Sequence, residues 1–234
     1  MASVISVPTM ISRCVSGRIA YLGADGQSTG HERFELHEMP GGRLLRAWCV
    51  LTDAGLWRDV SLAMDDAWRP RDGACRLWHA DGAMDLMMFA IAADHVEVRQ
   101  QGRHHGVQTI PTSTPLPYLG LHPLAGDALV VHQRGQDDPG TWRPVAAVTN
   151  SVSPHGEGAV ATALAIDVAF VGSVPITVAA GSFAAWHYQL RWREDWLPAD
   201  LWVRAGDGVF LRMDWAETGT GFELVALVET GEGL

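Results

Sequence analysis

The chain of 234 residues holds ten histidines and three tyrosines, and all seventeen of its basic residues are arginine. Groups that could do chemistry are densest in the middle: Arg103, His104, His105, Tyr118, His122, Asp127, His132, Ser151 and His155. This mixture suits general acid–base catalysis, which needs one or two groups of tuned pKa in a dry site rather than a fixed motif. Tyr118 and His122 flank Leu119-Gly120-Leu121 and could act together where a helix begins, with His105 a third proton-transfer candidate. Arg103, or Arg191 and Arg193 further on, could hold a substrate carboxylate by a bidentate contact.

Other chemistries find less support. Without lysine the chain can form no Schiff base, and it has no phosphate-loop lysine. Gly181-Ser182-Phe183 lacks the nucleophile-elbow pattern, and no glycine-rich dinucleotide fingerprint follows a strand. Cys49 and Cys75 fall within strand patterns, where a thiol is buried and inert. Neither HExxH nor CxxC occurs. The adjacent His104 and His105 would point to opposite faces of a strand, and His122 and His132 make at most a pair. No metal and no cofactor is expected.

Ten tryptophans suggest where a ligand would sit. Side chains alternate across a strand, so in Phe183–Arg193 one face carries Ala184, Trp186, Tyr188, Leu190 and Trp192. That face is either core or the wall of a pocket for a flat hydrophobic ligand; aromatic rings with polar tips suit the second. Trp186, Tyr188, Trp192 and Trp142, with Arg103 and Arg191, form the expected substrate-binding set.

These residues must be positioned by β-strands. Short alternating runs cut by Gly, Pro and Asp recur along the chain, as in Arg43–Leu51, Leu56–Met64, Ala74–His79 and Val209–Trp215, with turn signals such as Pro40-Gly41-Gly42 and Gly206-Asp207-Gly208 between them. Three prolines within Pro111–Pro117 interrupt the rhythm. Leu121–Gln133 is the best helix candidate, and Arg134–Gly158 reads as long loops. The fold expected is mainly β: an antiparallel, open or half-closed barrel in one domain spanning 1–234, with a β-half at 15–110, a crossover of loops and helix at 111–158, and a β-half at 159–230. Exposed sheet edges leave a homodimer open.

The net charge of −10 argues against nucleic acid or an anionic membrane as partner. No apolar run approaches the ~20 residues of a membrane-spanning helix. Arg13 interrupts the apolar N-terminus, which does not read as a signal peptide, and an odd cysteine count makes no disulfide framework. A cytoplasmic location is the expectation.

The segment Val174-Pro-Ile-Thr-Val-Ala-Ala-Gly-Ser-Phe183, the aromatic alternation after it, Leu201-Trp202-Val203 and the terminal Phe222-Glu223-Leu224-Val225 resemble a poorly characterised group of bacterial β-rich domains. In that group a "VPAGTF" turn precedes a long strand and a "YELV"-like strand ends the chain; Asp65–Pro70 is similar to its "D…P" turn. The resemblance covers the last third of the chain and one turn. It implies a half-barrel around a helix, similar to the lipoprotein-localisation carriers and more distantly to lipocalins. Those carriers have signal peptides, and this sequence shows none.

Two functions follow as expectations. One is a cofactor-independent lyase or isomerase acting on a hydrophobic, aromatic, carboxylated small molecule, such as a plant-derived aromatic dimer that loses formaldehyde. The other is a non-catalytic carrier of lipids or hydrophobic metabolites. Catalysis requires at least two titratable groups within hydrogen-bond reach inside the cavity, one with a displaced pKa. A carrier requires an apolar cavity whose His, Tyr and Arg residues point to solvent.

Overall fold

Among the described residues there are fifteen strands. They are β1 (Arg13–Leu22), β2 (Ser28–Met39), β3 (Gly42–Leu51), β4 (Leu56–Met64), β5 (Pro70–His79), β6 (Met84–Ile91), β7 (His95–Gln101), β8 (Gly106–Pro111), β9 (Tyr118–Gly120), β10 (Trp142–Thr149), β11 (Thr162–Val178), β12 (Gly181–Arg191), β13 (Ala199–Arg204), β14 (Phe210–Trp215) and β15 (Thr220–Gly231). The computed structural model describes residues 12–112, 115–154 and 156–231, so His155 lies outside the described residues. All the strands join one sheet, ordered β8-β7-β6-β5-β4-β3-β2-β1-β15-β14-β13-β12-β11-β10-β9. Every pairing is antiparallel except β9 with β10. The N-terminal hairpins therefore run outward in one direction from β1, and the C-terminal ones run from β15 in the other.

The sheet is not closed by a ladder, but its two ends are tied. Gln100 on β7 and Gln108 on β8 donate their side-chain amides to the carbonyls of Ala159 and Ala161, each at 3.0 Å, just before β11. Near the other end, β9 packs against β5: a Cβ on Gly73 would lie 2.7 Å from Leu119 Cδ2. Mainly β and half-closed, as the pattern predicts, the sheet wraps one core.

Each strand turns its apolar phase inward. On β4, Leu56, Val60, Leu62 and Met64 are buried while Trp57 is exposed. On the expected aromatic face of β12, Tyr188 and Leu190 are buried and Trp186 packs partly buried against the core. Into this concavity goes an unbroken helical run: α1 (Leu124–Asp127), a 3-10 turn (Ala128–Val130) and α2 (Val131–Arg134). It is buried from Leu124 to Val131, which is why its sequence is nearly all apolar and shows no amphipathic stripe.

The 111–158 crossover differs from a run of loops plus a helix, because it contains β9 and β10. Pro144 masks β10 in the sequence. The structure admits it because β9 pairs only with Ala147–Thr149, leaving the β9 side of Pro144 without a ladder that needs its missing N–H. Among the described residues no helix is long and apolar enough to cross a membrane.

Candidate functional site

The site begins with three residues on one rung of the sheet. Glu32 on β2 lies opposite Cys49 on β3, which lies opposite Arg58 on β4. All three follow the inward apolar phase, and Glu32 and Arg58 are respectively 0% and 2% exposed. Glu32 serves as the missing cap of α1. Its carboxylate accepts the backbone N–H groups of Leu124 (2.7 Å) and Ala125 (3.0 Å) and the hydroxyl of Tyr21 (2.8 Å). Pro123, which precedes the helix, offers no side-chain cap. Burial raises the Glu32 pKa, while those amides, Tyr21 and Arg58 oppose the rise. Arg58 donates to the carbonyls of His122 (2.9 Å) and Gly156 (3.0 Å), pinning the segments on either side of the cavity.

Above this rung is a cavity of about 540 Å³, within the usual range for a small-molecule site. It spans both wings of the sheet. Tyr21, Arg58, Tyr118, His122, Asp127 and Thr149 supply its polar wall, and Leu124, Leu164, Ile166, Met213 and Phe222 are among its apolar lining. Trp192, Trp196 and Trp215 line it from the C-terminal wing, with ring centroids 5.1 Å apart for Trp192–Trp215 and 5.5 Å for Trp196–Trp215.

Two titratable units sit in the polar wall. Tyr118 donates its hydroxyl to Asp127 Oδ1 at 2.8 Å. Burial raises the Asp127 pKa to about 7, the hydrogen bond from Tyr118 holding it back and the charge of Glu32 adding to it. Burial also pushes the Tyr118 phenol well up, so it stays a donor. The second unit is His122. Its Nε2 lies 3.0 Å from the Ser151 carbonyl and 3.2 Å from Thr149 Oγ1, whose own proton goes to the same carbonyl at 2.9 Å. A carbonyl only accepts, so Nε2 carries the proton and Nδ1 the lone pair. Burial and the Arg58 charge lower the His122 pKa to about 4, leaving the ring neutral at pH 7. His122 also has φ +64°, a left-handed conformation uncommon outside glycine, held by the bonds at its carbonyl and its ring.

Gly156 allows this close assembly. At φ +61° its missing Cβ would lie 2.5 Å from His122 Cγ and 2.7 Å from Arg58 Nη2. Gly156→Ala is therefore expected to destabilise the fold by about 1–3 kcal/mol, from overpacking and backbone strain together. It should also shift the His122 ring resonances, which denaturant titration and NMR of the same sample can check.

The candidates read from sequence fall into two groups. Tyr118, His122 and Trp192 line the cavity, and Tyr118 and His122 belong to separate units: Tyr118 bonds Asp127, not His122. Asp127, Ser151 and Arg193 line it as well, and the other described candidates do not. His105 is exposed in the β7–β8 turn. Arg103, in the same turn, donates its backbone N–H (2.7 Å) and Nε (2.8 Å) to the buried Asp85 of β6. Arg191 pairs with Asp167 at 2.9 Å and lies over the Trp142 ring at 5.0 Å, which occupies both residues away from the cavity. The Tyr188 hydroxyl donates to the Gly135 carbonyl at 3.2 Å, and Trp186 packs against the core. His132 stacks on Trp68 at 3.9 Å and bonds the Asp207 carbonyl, fixing the end of α2. Arg193 does reach the cavity, where two of its three guanidinium nitrogens, Nε and Nη2, are engaged by Asp195, each at 2.8 Å.

Sequence reasoning missed Glu32 and Arg58 and left Asp127 as one group among many. The available signal was phase: Glu32 falls in step with Phe34 and Leu36, and Arg58 with Leu56 and Val60, so both had to point inward.

No family model matches the chain, and no curated protein matches its sequence. Solved structures do match. A β-barrel-like protein of the domain of unknown function DUF1849 from Brucella abortus superposes over 94% of this chain and 98% of that one, with TM-score 0.53 at 10% identity. A DUF1089 family protein from Pseudomonas aeruginosa covers 80% of this chain and 90% of that one, with TM-score 0.48 at 13% identity. The likeness is one of fold. This chain is built like a bacterial barrel-like protein, and its site has to be understood from its own residues.

Proposed function

We propose that the protein is a cofactor-independent acid–base enzyme, a lyase or isomerase, acting on a hydrophobic small molecule in the cavity. The observation that carries this reading is the Tyr118–Asp127 pair: a hydrogen-bonded carboxyl group with its pKa near 7, on the polar wall of a cavity that is elsewhere mostly apolar. A group poised near the working pH both gives and takes protons efficiently. Asp127 acts as the acid, Tyr118 orients it, and neutral His122 offers the Nδ1 lone pair as the base. In an elimination, His122 would remove a proton from carbon as that C–H pair forms the new double bond. Asp127 would protonate the departing hydroxyl, releasing water. The tryptophans hold the ring or chain of the substrate and exclude solvent.

The carrier reading has its own support in the apolar walls, Leu164, Ile166, Met213 and Phe222 among them. Turnover separates the two. The protein, His122→Gln and Asp127→Asn are each incubated with an extract of small hydrophobic metabolites and followed by mass spectrometry. The enzyme reading expects compounds that disappear with the parent protein and turn over at least 100-fold more slowly with either variant, consistent with loss of one acid–base group. Compounds that only co-purify, equally with all three proteins, would identify a carrier.

A further inference from the structure

The hydrogen-bond inventory of the cavity wall restricts what can be bound there. Three hydroxyl protons are already committed inside the protein: Tyr21 to Glu32, Tyr118 to Asp127 and Thr149 to the Ser151 carbonyl. The two arginines of the wall are likewise engaged. Arg58 serves the carbonyls of His122 and Gly156, and Arg193 forms a two-point fork with Asp195. On the acceptor side, His122 Nδ1 and Asp127 Oδ2 have no hydrogen-bond partner among the described residues, and both side chains line the cavity. Ser151 Oγ accepts the N–H groups of Ser153 and Gly158 and keeps its own proton to donate.

The charge pattern points the same way. Glu32 lies directly behind Tyr21, Asp127 is in the wall and Asp53 also lines the cavity. A carboxylate ligand would meet these acids with Arg193 already charge-paired to Asp195 and Arg58 turned to two backbone carbonyls, so its desolvation would be poorly compensated. A hydroxyl suits the wall, because it gives one proton to an acceptor and takes one from a donor.

We infer that the cavity takes a neutral, hydroxyl-bearing hydrophobic molecule and rejects the corresponding carboxylate. This deepens the acid–base reading of the same site and rests on it for the role of the bound hydroxyl as the reacting group. It also replaces the carboxylated substrate expected from sequence, whose anchors Arg103 and Arg191 bond elsewhere.

Three probes with one ring system test it: 2-(2-naphthyl)ethanol, 2-naphthylacetate and 2-(2-naphthyl)ethylamine, titrated at pH 8 with tryptophan fluorescence and calorimetry as readouts. The alcohol is expected to bind at least tenfold more tightly than the acetate and more tightly than the amine. With Asp127→Asn, which removes the wall charge, the gap between alcohol and acetate should narrow several-fold. Equal or tighter binding of the acetate would overturn the inference, as would an amine that binds best or a cavity that binds none of the three. These outcomes are separable from those of the acid–base reading. An alcohol preference in a protein whose Asp127 titrates as an ordinary carboxyl leaves the ligand class standing and removes the catalytic role.

Discussion

Asp127→Asn is expected to make the protein more stable at pH 8 while slowing the proposed turnover at least 100-fold. The folded-state pKa of Asp127 is near 7, against an ordinary value of 3.8. The folded protein therefore binds this proton more tightly than the unfolded chain does. Stability contributed by the proton is fully present below about pH 4, declines as the pH rises from there, and is gone above about pH 7. The displacement corresponds to roughly 4 kcal/mol across that window. Asparagine removes the ionisation but keeps an oxygen to accept the Tyr118 hydroxyl. The variant should exceed the parent in stability by up to that amount at pH 8 and match it near pH 4. His122 and His132, each lowered to about 4, have the opposite sign: their contribution is present above about pH 6.5 and is lost as the pH falls through 4. Both histidines are common to variant and parent, so the difference between two urea titration series isolates Asp127. A difference that does not change between pH 4 and pH 8 would place Asp127 in ordinary solvent.

Arg58→Leu carries the second large effect, a loss of about 2–5 kcal/mol at pH 7.5, from two buried carbonyls left without charged donors and a buried carboxylate left without its nearby positive charge. The substitution leaves Glu32 as a buried carboxylate without its nearby cation. It also strips the donors from the carbonyls of His122 and Gly156. Because burial already raises the Glu32 pKa, the variant can relieve part of the cost by protonating Glu32. The loss should therefore shrink as the pH is lowered towards 5. Denaturation midpoints of parent and variant across that range provide the check. A loss under 1 kcal/mol at every pH would mean that Arg58 neither balances Glu32 nor holds the two loops.

Most strands were legible because one sheet face is packed and the other is wet, so alternation writes the phase directly into the sequence, as in Val60-Ser61-Leu62-Ala63-Met64 on β4. What period-2 alternation does not mark is a strand with few partners. β9 has three residues and β10 contains Pro144, so both read as loop. The site was half legible. Tyr118 and His122 stand out as rare residue types beside a helix start, and both line the cavity. Arg103 and His105 are near that segment along the chain but not in space. The β7–β8 hairpin instead carries Arg103 onto Asp85, eighteen residues earlier. Glu32 and Arg58 were hidden in plain alternation: a charge in the inward phase breaks the apolar rule, and breaks of that kind mark functional or strained sites. Only the fold shows that Glu32 reaches α1, ninety-two residues away in sequence, and so sets the helix that presents Asp127.

The proposed function rests on Asp127 as a proton-transfer group poised near neutrality in the cavity wall. Its titration can be followed directly from the side-chain carboxyl ¹³C resonance, assigned by its disappearance in Asp127→Asn. A midpoint near pH 7 is expected. A midpoint below pH 5 would contradict it.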